Sequence, residues 1–572
     1  MTLTTVSLSN AFLEGIKKTD VVAIDTETTG LSVSNGRDYL QGFSLAYEVG
    51  GMTYSEYFPF RHATGNLDRE TVSEVIEAIR TKELVFHNRK FDLHSLSSVG
   101  IDLVDCWAYD TMLLAHMVNE EKPYAKTLEA CGQMYLKRGK VQKDEVDKFT
   151  TAFGWSALTP ELITPYAKGD AELTLALHSK LWPLFEKEFG TDAQVLWMNE
   201  WKMQTILYKM EARGIKIDTK FCGLMSGIAK LEMNDIANDL NFEPSKTTQL
   251  GKFLFDELKL PVLEYTPAGK PSLNKAVMEE YDRLLEQVED DRARQVLNYR
   301  GWQKATSAFY TPIPKLVDSN SRVHPSFHQH RTLTGRLSCS EPNFQQIPRE
   351  SKSAWSGKAK QMFLPTEGYV LISLDYSQLE LRLAASYGNE TLLKEEFSKD
   401  DADPFTTLSE EIGVGRFIAK TMAYGLLYGA GQSKVAKILN MPLSDVQEPY
   451  KKFLASIPGI IKIKHVVEAK ARQRGFIRYW TGRKRHFANR DDAYKSFNSL
   501  LQGGAAEVMK AVMIELDSWV MDNDCHMLLQ IHDELVFEIK EDLVDVYLPR
   551  IIGIMEGLPS EEFGVRFTVG QK

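Results

Sequence analysis

The sequence predicts a multidomain protein that combines an α/β part with an α+β part. Two apolar runs ending in an acid, VVAID at 21–25 and VLISLD at 370–375, have the length and composition of buried strands. Segments with helical periodicity follow later, at 163–181 and 415–431. The 572 residues also exceed the usual size of one domain. We therefore expect two or more packed domains.

The overall composition restricts the class of protein. The net charge of -10 argues against nucleic-acid binding unless basic residues are concentrated locally. No segment reaches about 18 uninterrupted apolar residues, and the N-terminus lacks an apolar signal core. The five cysteines are scattered, which argues against a disulfide framework or a zinc site. We expect a cytoplasmic protein without a membrane span.

Acidic residues follow predicted strands or lie on predicted helices in the first 190 residues. Asp25 and Glu27 point to the same side of the strand that begins with VVAI. Asp92 lies on a helix after the short strand ELVF, and Tyr166 and Asp170 share a face of a later helix. Taken singly, the acids of DTETTG favour a turn with a Thr cap and Asp170 favours an ordinary helix surface over a catalytic role.

A second pair of acids lies far apart in the sequence. The stretch LLQIHDELVFE, residues 528–538, is typical of a hairpin with His532, Asp533 and Glu534 at its tip. The tip is either exposed to solvent or presents an acid to a metal. The second interpretation needs a partner acid, and Asp375 at the end of VLISL supplies one if the two strands are neighbours.

A stripe of cations and aromatic rings lies between these two acids. Arg416, Lys420, Tyr424 and Tyr428 recur every four residues and share one face of a helix. Two cations for phosphates and a ring for a base are typical of a nucleotide platform. An amphipathic helix with tyrosines in a core remains the alternative.

The acids of the first part, with Asn88 four residues before Asp92, resemble the three motifs of the DEDDy 3′-5′ exonucleases. The resemblance implies an RNase H-like domain, a mixed sheet flanked by helices, over residues 1–190. Crowded carboxylates repel one another unless divalent cations neutralise them. Two Mg²⁺, with Mn²⁺ as an alternative, are implied at Asp25, Glu27, Asp92 and Asp170, and Tyr166 is implied to orient the attacking water.

Four later segments resemble, in order, the motifs of family A DNA polymerases, the DNA polymerase I group. They are TGRLSCSEPNFQQIP, LDYSQLELR, RFIAKTMAYGLLYG and QIHDELVFE. The resemblance implies a right-hand polymerase domain over residues 191–572. Its expected parts are a thumb at about 200–320, a palm at about 321–385 and 496–572, and fingers at about 386–495.

The same resemblance implies roles for single residues. Asp375, Asp533 and the backbone carbonyl of Tyr376 would hold two further Mg²⁺. Arg416 and Lys420 would grip the triphosphate, with Lys420 as the proton donor to pyrophosphate. Glu380 is implied to be the steric gate against ribonucleotides. Tyr424, Tyr376 and Gln378 complete the nucleotide site, and the expected DNA contacts are Arg336, Asn498, Gln502, His532 and Tyr428.

The family's Asp-x-His motif is incomplete in this sequence. Asp403 is followed by Pro404 and Phe405, which leaves one triphosphate contact without its residue.

The segment 472–490 is densely basic with interleaved aromatic rings, which favours a template or primer track over a solvated loop.

The predicted function is template-directed DNA synthesis with 3′-5′ proofreading on primer-template DNA and dNTPs. Tyr424, which is Phe in many members, and the absence of a preceding 5′-nuclease segment favour a compact replicative enzyme of phage type, a monomer in the host cytoplasm. Helicase or primase are the expected partner proteins. A host repair polymerase, and a processing exonuclease with a DNA-binding platform, remain alternatives.

Overall fold

The computed structural model describes residues 10–122, 126–348, 355, 358–519 and 524–571. It forms two compact units. Unit 1 comprises the described parts of Met1–Ala212, Phe327–Ser338 and Gly368–Lys572, and unit 2 those of Arg213–Ser326 and Cys339–Glu367. These units group residues that pack together and do not correspond to the expected exonuclease and polymerase domains. The boundaries expected for those domains therefore stay a prediction. Within the described ranges, no helix is long and apolar enough to span a membrane.

The strands are short and distributed over several sheets. They are β1 (Val21–Thr28), β2 (Leu40–Val49), β3 (Met52–Pro59), β4 (Glu83–Phe86), β5 (Ala108–Asp110), β6 (Ile215–Ile217), β7 (Arg322–Val323), β8 (Ser326–His328), β9 (Ser338–Ser340), β10 (Phe363–Leu364), β11 (Tyr369–Tyr376), β12 (Phe476–Arg478), β13 (Lys484–His486), β14 (Cys525–Ile531), β15 (Glu534–Lys540) and β16 (Val569–Gln571).

Helices make up most of the remaining described chain. They are α1 (Asn10–Ile16), α2 (Arg69–Ile79), α3 (Arg89–Ser97), α4 (Thr111–Val118), α5 (Leu128–Leu136), α6 (Lys143–Phe153), α7 (Pro160–Phe189), α8 (Ala193–Arg213), α9 (Thr219–Leu240), α10 (Thr247–Lys252), α11 (Lys275–Glu286), α12 (Arg292–Ala305), α13 (Leu379–Gly388), α14 (Thr391–Phe397), α15 (Pro404–Ile412), α16 (Arg416–Leu427), α17 (Gln432–Leu439), α18 (Leu443–Ser456), α19 (Pro458–Arg474), α20 (Ser496–Trp519) and α21 (Val544–Phe563).

The first sheet of unit 1 is mixed, as predicted. Its strand order is β3-β2-β1-β4-β5, with β1 antiparallel to β2 and parallel to β4. Neighbouring residues of β1, Ala23 and Ile24, belong to different buried apolar clusters, so both faces of the strand are covered. A strand covered on both faces has a continuous apolar sequence, which explains the run VVAI.

Helix α7 covers the face of this sheet that carries the acids. Ser44 on β2 lies opposite Asp25 in the antiparallel register, so the two side chains share a face. The Ser44 hydroxyl donates a hydrogen bond of 2.8 Å to the carbonyl of Ala167 on α7. Tyr166 and Asp170 flank Ala167 on the helix and are thereby brought to the acid-bearing face.

The second sheet of unit 1 is antiparallel, with the order β14-β15-β11-β16. The hairpin predicted for residues 528–538 is confirmed, because β14 and β15 pair directly and His532 and Asp533 form the turn between them. Glu534, which was also expected at the tip, instead begins β15 and is buried. His532 adopts the left-handed conformation, with φ of 58°, that such a tight turn requires.

Unit 2 is mainly helical. Helices α9 to α12 lie in it, and an apolar cluster that includes Leu250, Phe253 and Tyr281 forms its core. A small antiparallel sheet with the order β10-β6-β7 completes the unit.

Within the basic segment 472–490, Arg483 and Arg485 are buried and Lys484 is partly buried, so the expected template or primer track is wrong for these residues. Strands β12 and β13 form a hairpin in which Arg483 and Arg485 are only 4% and 5% exposed. Local charge alone did not reveal this, because the partner acids lie hundreds of residues earlier. The Arg485 guanidinium contacts Glu120 and Glu121, and Lys484 contacts Glu188 at 2.7 Å.

Glu200 is the centre of the most buried of these ion pairs. Its Oε1 lies 2.6 Å from both the Arg483 guanidinium and the Lys510 ammonium, and Gln329 donates to its Oε2 at 2.5 Å. Burial acts to raise the pKa of Glu200, but Lys510 and Arg483 outweigh it and lower the pKa. Glu507 lies 3.3 Å from Lys510 and adds a second carboxylate.

We predict that Glu200→Gln destabilises the protein by about 3 kcal/mol, because it leaves two buried cations with only Glu507. Urea unfolding followed by tryptophan fluorescence measures the change. The control is Asp517→Asn, which removes the partner of Lys209 at the surface and should cost about 1 kcal/mol or less. Equal small effects of both variants would contradict this role of Glu200.

Candidate active sites

Three carboxylates of the first acidic cluster meet where α7 crosses β1. Asp25, Glu27 and Asp170 each place a carboxylate oxygen within 4.8 Å of those of the other two. Asp25 and Glu27 share a face because they are two residues apart on a strand. The sequence predicted four acids together, and three of them form this cluster.

The fourth predicted acid, Asp92, lies beside the cluster. Its Oδ1 accepts hydrogen bonds from the amide and the hydroxyl of Thr26, at 3.2 and 2.7 Å, and Thr26 separates the two acids of β1. Helix α3, which carries Asp92, begins after Asn88 in a left-handed conformation. The carboxylate of Asp110 accepts the amides of Asn88 and Arg89, both at 3.0 Å, and so holds the start of the helix.

The cluster contains buried oxygens that fit a divalent metal. Among the described residues, Glu27 Oε1, Asp92 Oδ2 and Asp170 Oδ1 are buried without a hydrogen-bond donor. A buried, unsatisfied carboxylate oxygen is costly. Hard oxygen donors of this kind are the preferred ligands of Mg²⁺ and Mn²⁺. These residues therefore fit a metal centre.

The pKa values of the four carboxyl groups are all raised, because the groups are buried close to one another. Burial, followed by the neighbouring charge of Asp170, raises the pKa of Asp25 to about 8. Burial raises the pKa of Asp170 to about 6, although a nearby lysine opposes the rise. Burial and the adjacent Asp25 also raise the pKa values of Glu27 and Asp92 well above their usual range.

That lysine, Lys140, is a site residue that the sequence analysis missed. Its Nζ lies 2.6 Å from Asp170 Oδ2 and 2.5 Å from the Tyr166 hydroxyl. A signal was present, because KRGKVQK at 137–143 has four basic residues and no acid. Only the fold brings this segment to α7.

The second site is formed where β11 and β15 end. Asp375 lies opposite Glu534 in the antiparallel register. The amide of the next residue, Tyr376, donates a 3.1 Å hydrogen bond to the carbonyl of Asp533 in the turn. Asp375 and Asp533, 158 positions apart in the sequence, are therefore at the same end of adjacent strands. Both are partly exposed.

Glu534 differs from these two acids. It is buried, and Ser373 on β11 donates a hydrogen bond of 2.5 Å to its Oε1. A carboxylate that accepts such a bond in a buried position is engaged in holding the two strands together.

A buried arginine supports the chain after Asp375. The Arg382 guanidinium donates to the carbonyls of Ser377 and Arg566 and, at 2.9 Å, to the hydroxyl of Thr568. Gln378, which begins α13, has a left-handed φ of 49° and a buried side-chain oxygen. The turn that follows the acid is thus held by several hydrogen bonds.

Glu380 lies in a polar cluster near Asp533. Arg336 contacts Glu380 Oε1 at 2.5 Å, and the Tyr428 hydroxyl also bonds to the carboxylate. Burial raises the pKa of Glu380, Arg336 opposes the rise, and Asp533 adds to it. The structure thus brings together residues from three of the sequence motifs.

Helix α16 continues this cluster with the predicted stripe. The rings of Tyr424 and Tyr428 are stacked, with centroids 5.9 Å apart. The Lys420 ammonium lies 6.0 Å from the Tyr424 ring and 5.7 Å from that of Phe405. Of these aromatic residues, Tyr428 is exposed and Phe405 is buried.

Arg416 at the start of α16 is paired with Asp403. Its Nε lies 2.6 Å from Asp403 Oδ2, and this hydrogen bond lowers the pKa of Asp403 to about 2. Asp403 also caps α15 through the amides of Phe405 and Thr406. Phe405 packs against Arg416, with the guanidinium carbon 5.6 Å from the ring.

The other predicted DNA contacts lie on two elements. Asn498 and Gln502 are one turn apart near the start of α20, both partly buried, and Asn498 Oδ1 has no hydrogen-bond donor among the described residues. His532 is exposed at the tip of the β14–β15 hairpin. Both elements belong to unit 1.

The mixed sheet with its acidic cluster is typical of an exonuclease domain. The antiparallel sheet with acids at its strand ends, together with the cationic helix α16, is typical of a polymerase domain. Family models match accordingly: "3'-5' exonuclease" over residues 1–186 and "DNA polymerase family A" over residues 220–572. The chain belongs to DNA polymerase family A and carries a 3′-5′ exonuclease domain. Domains of both kinds are metal-dependent.

Two relatives illustrate the extent of the likeness. The chain is 29% identical to DNA polymerase I of Pseudomonas aeruginosa, over 96% of this chain and 62% of that protein. It is 30% identical to the thermostable DNA polymerase I of Thermus aquaticus, over 68% of this chain and 49% of that one. It therefore spans less than two thirds of these relatives.

A solved structure has the same fold. The POL domain of Pol1 from M. smegmatis, in complex with DNA primer-template and dNTP, matches with a TM-score of 0.83. The match covers 99% of this chain and 98% of that one, at 22% sequence identity. The expected combination of an RNase H-like exonuclease domain with a right-hand polymerase domain is confirmed.

We predict that Mg²⁺ bound at Asp25, Glu27 and Asp170 raises the Tm of the protein by a larger amount as the pH rises from about 5 to about 9. Metal binding requires ionised carboxylates, and Asp170 and Asp25, with pKa values of about 6 and about 8, lose their protons over this interval. Thermal unfolding with Mg²⁺ and with EDTA measures the difference in Tm. The measurement is made in the Asp533→Asn background, which removes a candidate ligand of the second site.

The metal-free protein should show the opposite trend. Because these pKa values are raised on folding, the folded state binds more protons than the unfolded state between about pH 4 and about 8. Its Tm in EDTA should therefore fall as the pH rises through this window, and Asp25→Asn should reduce the fall. A pH-independent Tm would contradict the prediction.

Proposed function

We propose that this chain is a template-directed DNA polymerase that adds deoxynucleotides to a primer 3′ end and proofreads with a 3′-5′ exonuclease. The observation that carries the proposal is the pair Asp375 and Asp533 at the same end of adjacent strands, beside a helix with Lys420 and Arg416, in a chain of this family. The solved relative with primer-template and dNTP supports DNA and dNTPs as substrates.

Asp375 and Asp533 would hold two Mg²⁺, with the Tyr376 backbone carbonyl as a further ligand. When bound, the ions lower the pKa of the primer 3′-hydroxyl and neutralise charge on the triphosphate. Lys420 lies on the exposed face of α16, where its ammonium can bind the triphosphate and donate a proton to the leaving pyrophosphate. Glu534 takes a supporting role, because it is engaged with Ser373.

Arg416 must release the Asp403 carboxylate before it can bind a triphosphate. In this structure its guanidinium is held by Asp403, and a triphosphate would compete for the same hydrogen-bond donors. Phe405 supplies no donor to a phosphate but packs beside Arg416 and Lys420. We infer that this chain binds the triphosphate with these two cations and without the histidine contact.

Glu380 fits the role of the steric gate. Arg336 and Tyr428 hold its carboxylate in one place, which lets it occupy the space of a ribose 2′-hydroxyl. Tyr376, Gln378 and Tyr424 complete the proposed nucleotide site. Contacts to primer-template DNA are proposed for Arg336, Asn498, Gln502, His532 and Tyr428.

In the exonuclease site, Asp25, Glu27, Asp92 and Asp170 would hold two Mg²⁺, with Mn²⁺ as an alternative, and Tyr166 would orient the attacking water. We propose residues 1–190 as the exonuclease domain and 191–572 as the polymerase domain, with the thumb, palm and fingers at the boundaries given above. The phage-type replicative role, the monomeric state, the cytoplasmic location and helicase or primase partners stay predictions.

We predict that the two activities separate by mutation. Asp375→Asn should lower primer extension about a thousandfold or more, because loss of a metal ligand removes several kcal/mol of transition-state stabilisation. It should leave degradation of single-stranded DNA near the unmutated level, and Asp25→Asn should have the reverse effect. Gel analysis of a 5′-labelled primer, with and without dNTPs, measures both.

A processing exonuclease with a DNA-binding platform is the alternative that this experiment excludes or supports. Extension that is absent in the unmutated protein, alongside degradation that depends on Asp25, would support that alternative. The presence of Asp375, Asp533, Arg416 and Lys420 together favours the polymerase.

We predict that Tyr424→Phe increases discrimination against dideoxynucleotides about tenfold. The phenol of Tyr424 can replace the hydrogen bond that a missing 3′-hydroxyl would make, and one such bond is worth about a factor of ten. Single-nucleotide incorporation with dNTP and ddNTP gives the ratio of kcat/KM values. Ordinary dNTP incorporation serves as the control, and equal ratios in both proteins would contradict the role of the hydroxyl.

A further inference from the structure

Lys140 belongs to none of the motifs and yet its ammonium lies within the exonuclease cluster. Nζ lies 2.6 Å from Asp170 Oδ2, 2.5 Å from the Tyr166 hydroxyl and 4.5 Å from the centre of the Tyr166 ring. Its side chain is only 18% exposed. The Tyr166 hydroxyl also bonds to Asp170, so the three groups form a closed triangle.

The chain around Lys140 is built to hold this position. The Lys140 amide donates a 2.7 Å hydrogen bond to Glu129 Oε2 on α5. The preceding Gly139 lets the Glu129 carboxylate approach the chain closely, because an added Cβ there would lie 2.3 Å from Glu129 Oε1 and displace that side chain. On the other side, Val141 packs against Gly169 of α7, one residue before Asp170. The segment is therefore clamped between α5 and α7.

The ammonium and a metal ion compete for one carboxylate. Asp170 Oδ2 is taken by Lys140, while Oδ1 is buried without a donor. A divalent ion bound to Oδ1 at about 2.1 Å would lie no more than about 7 Å from Nζ, because the two oxygens belong to one carboxylate. Like charges at that separation repel strongly in a buried site, where solvent screening is weak.

We propose that Lys140 is a positioning residue of the exonuclease site: its ammonium orders Asp170 and Tyr166 and occupies the cation position beside them until a divalent ion displaces it. This inference rests on the exonuclease function proposed above. Because a divalent ion must displace the Lys140 ammonium, the site binds the ion more weakly than its four carboxylates alone would.

The test is Mn²⁺ binding to the full chain in the Asp533→Asn background, measured by electron paramagnetic resonance of free Mn²⁺. Lys140→Met should bind Mn²⁺ at the Asp25-dependent site about tenfold or more tightly than the parent. Lys140→Gln, which keeps a hydrogen-bond donor without the charge, should also bind more tightly, whereas Lys140→Arg should bind like the parent. The Mn²⁺ concentration for half-maximal exonuclease rate should fall in parallel.

Lys168→Met is the matched control. Lys168 is on the same helix as Asp170 but lies 3.6 Å from Glu56 with its side chain 31% exposed, so its loss should leave Mn²⁺ affinity within about twofold. Circular dichroism confirms folding, and Lys140→Gln carries the test if Lys140→Met does not fold.

Three outcomes would contradict the proposals. If Mn²⁺ binds in an Asp25-dependent manner but Lys140→Met and Lys140→Gln leave its affinity unchanged or weaken it, the inference is overturned and the exonuclease proposal stands. If Lys168→Met strengthens binding as much as Lys140→Met, the effect is general charge and the inference is also overturned. If no Asp25-dependent Mn²⁺ site exists, both the exonuclease proposal and the inference fail.

Discussion

Repulsion between carboxylates is the constraint on which both sites of this protein depend. β-Strands bring acids to their ends at low cost to the backbone, but the acids then face one another in a partly dry environment. In the first site burial raises the pKa of Asp25 to about 8. The fold counters this crowding with fixed cations, Lys140 at Asp170 and Arg336 at Glu380. Bound divalent ions would neutralise the remaining negative charge of the carboxylates.

The two sites use this principle differently. Of the exonuclease acids, Glu27, Asp92 and Asp170 are buried and each has an oxygen without a donor among the described residues, whereas Asp25 is partly exposed. Asp375 and Asp533 remain partly exposed at the end of an antiparallel sheet, next to α16 with its exposed Lys420. The buried contacts of Glu200, Arg483 and Lys510 connect segments of unit 1 that lie about 300 positions apart in the sequence.

Several parts of the fold and the sites were predictable from sequence because their signals are local. A strand ending in an acid, a hairpin with a polar turn, and a helix with residues four apart have periodicities that identify them. The pairing of β11 with β15, which brings Asp375 to Asp533, followed from the need for a second acid. Lys140 and Arg483 did not follow, because their meaning depends on partners brought near by tertiary packing. A basic residue has the same local sequence signature whether it faces DNA or a buried glutamate.

The central claim is that each acidic cluster is a separate metal centre. Anomalous diffraction from crystals soaked in Mn²⁺ tests it most directly. We expect one set of peaks between Asp375 and Asp533 and another among Asp25, Glu27 and Asp170, each lost when its own aspartate, Asp375 or Asp25, is replaced by asparagine. Peaks at neither cluster, or a set that survives the loss of its own aspartate, would contradict it.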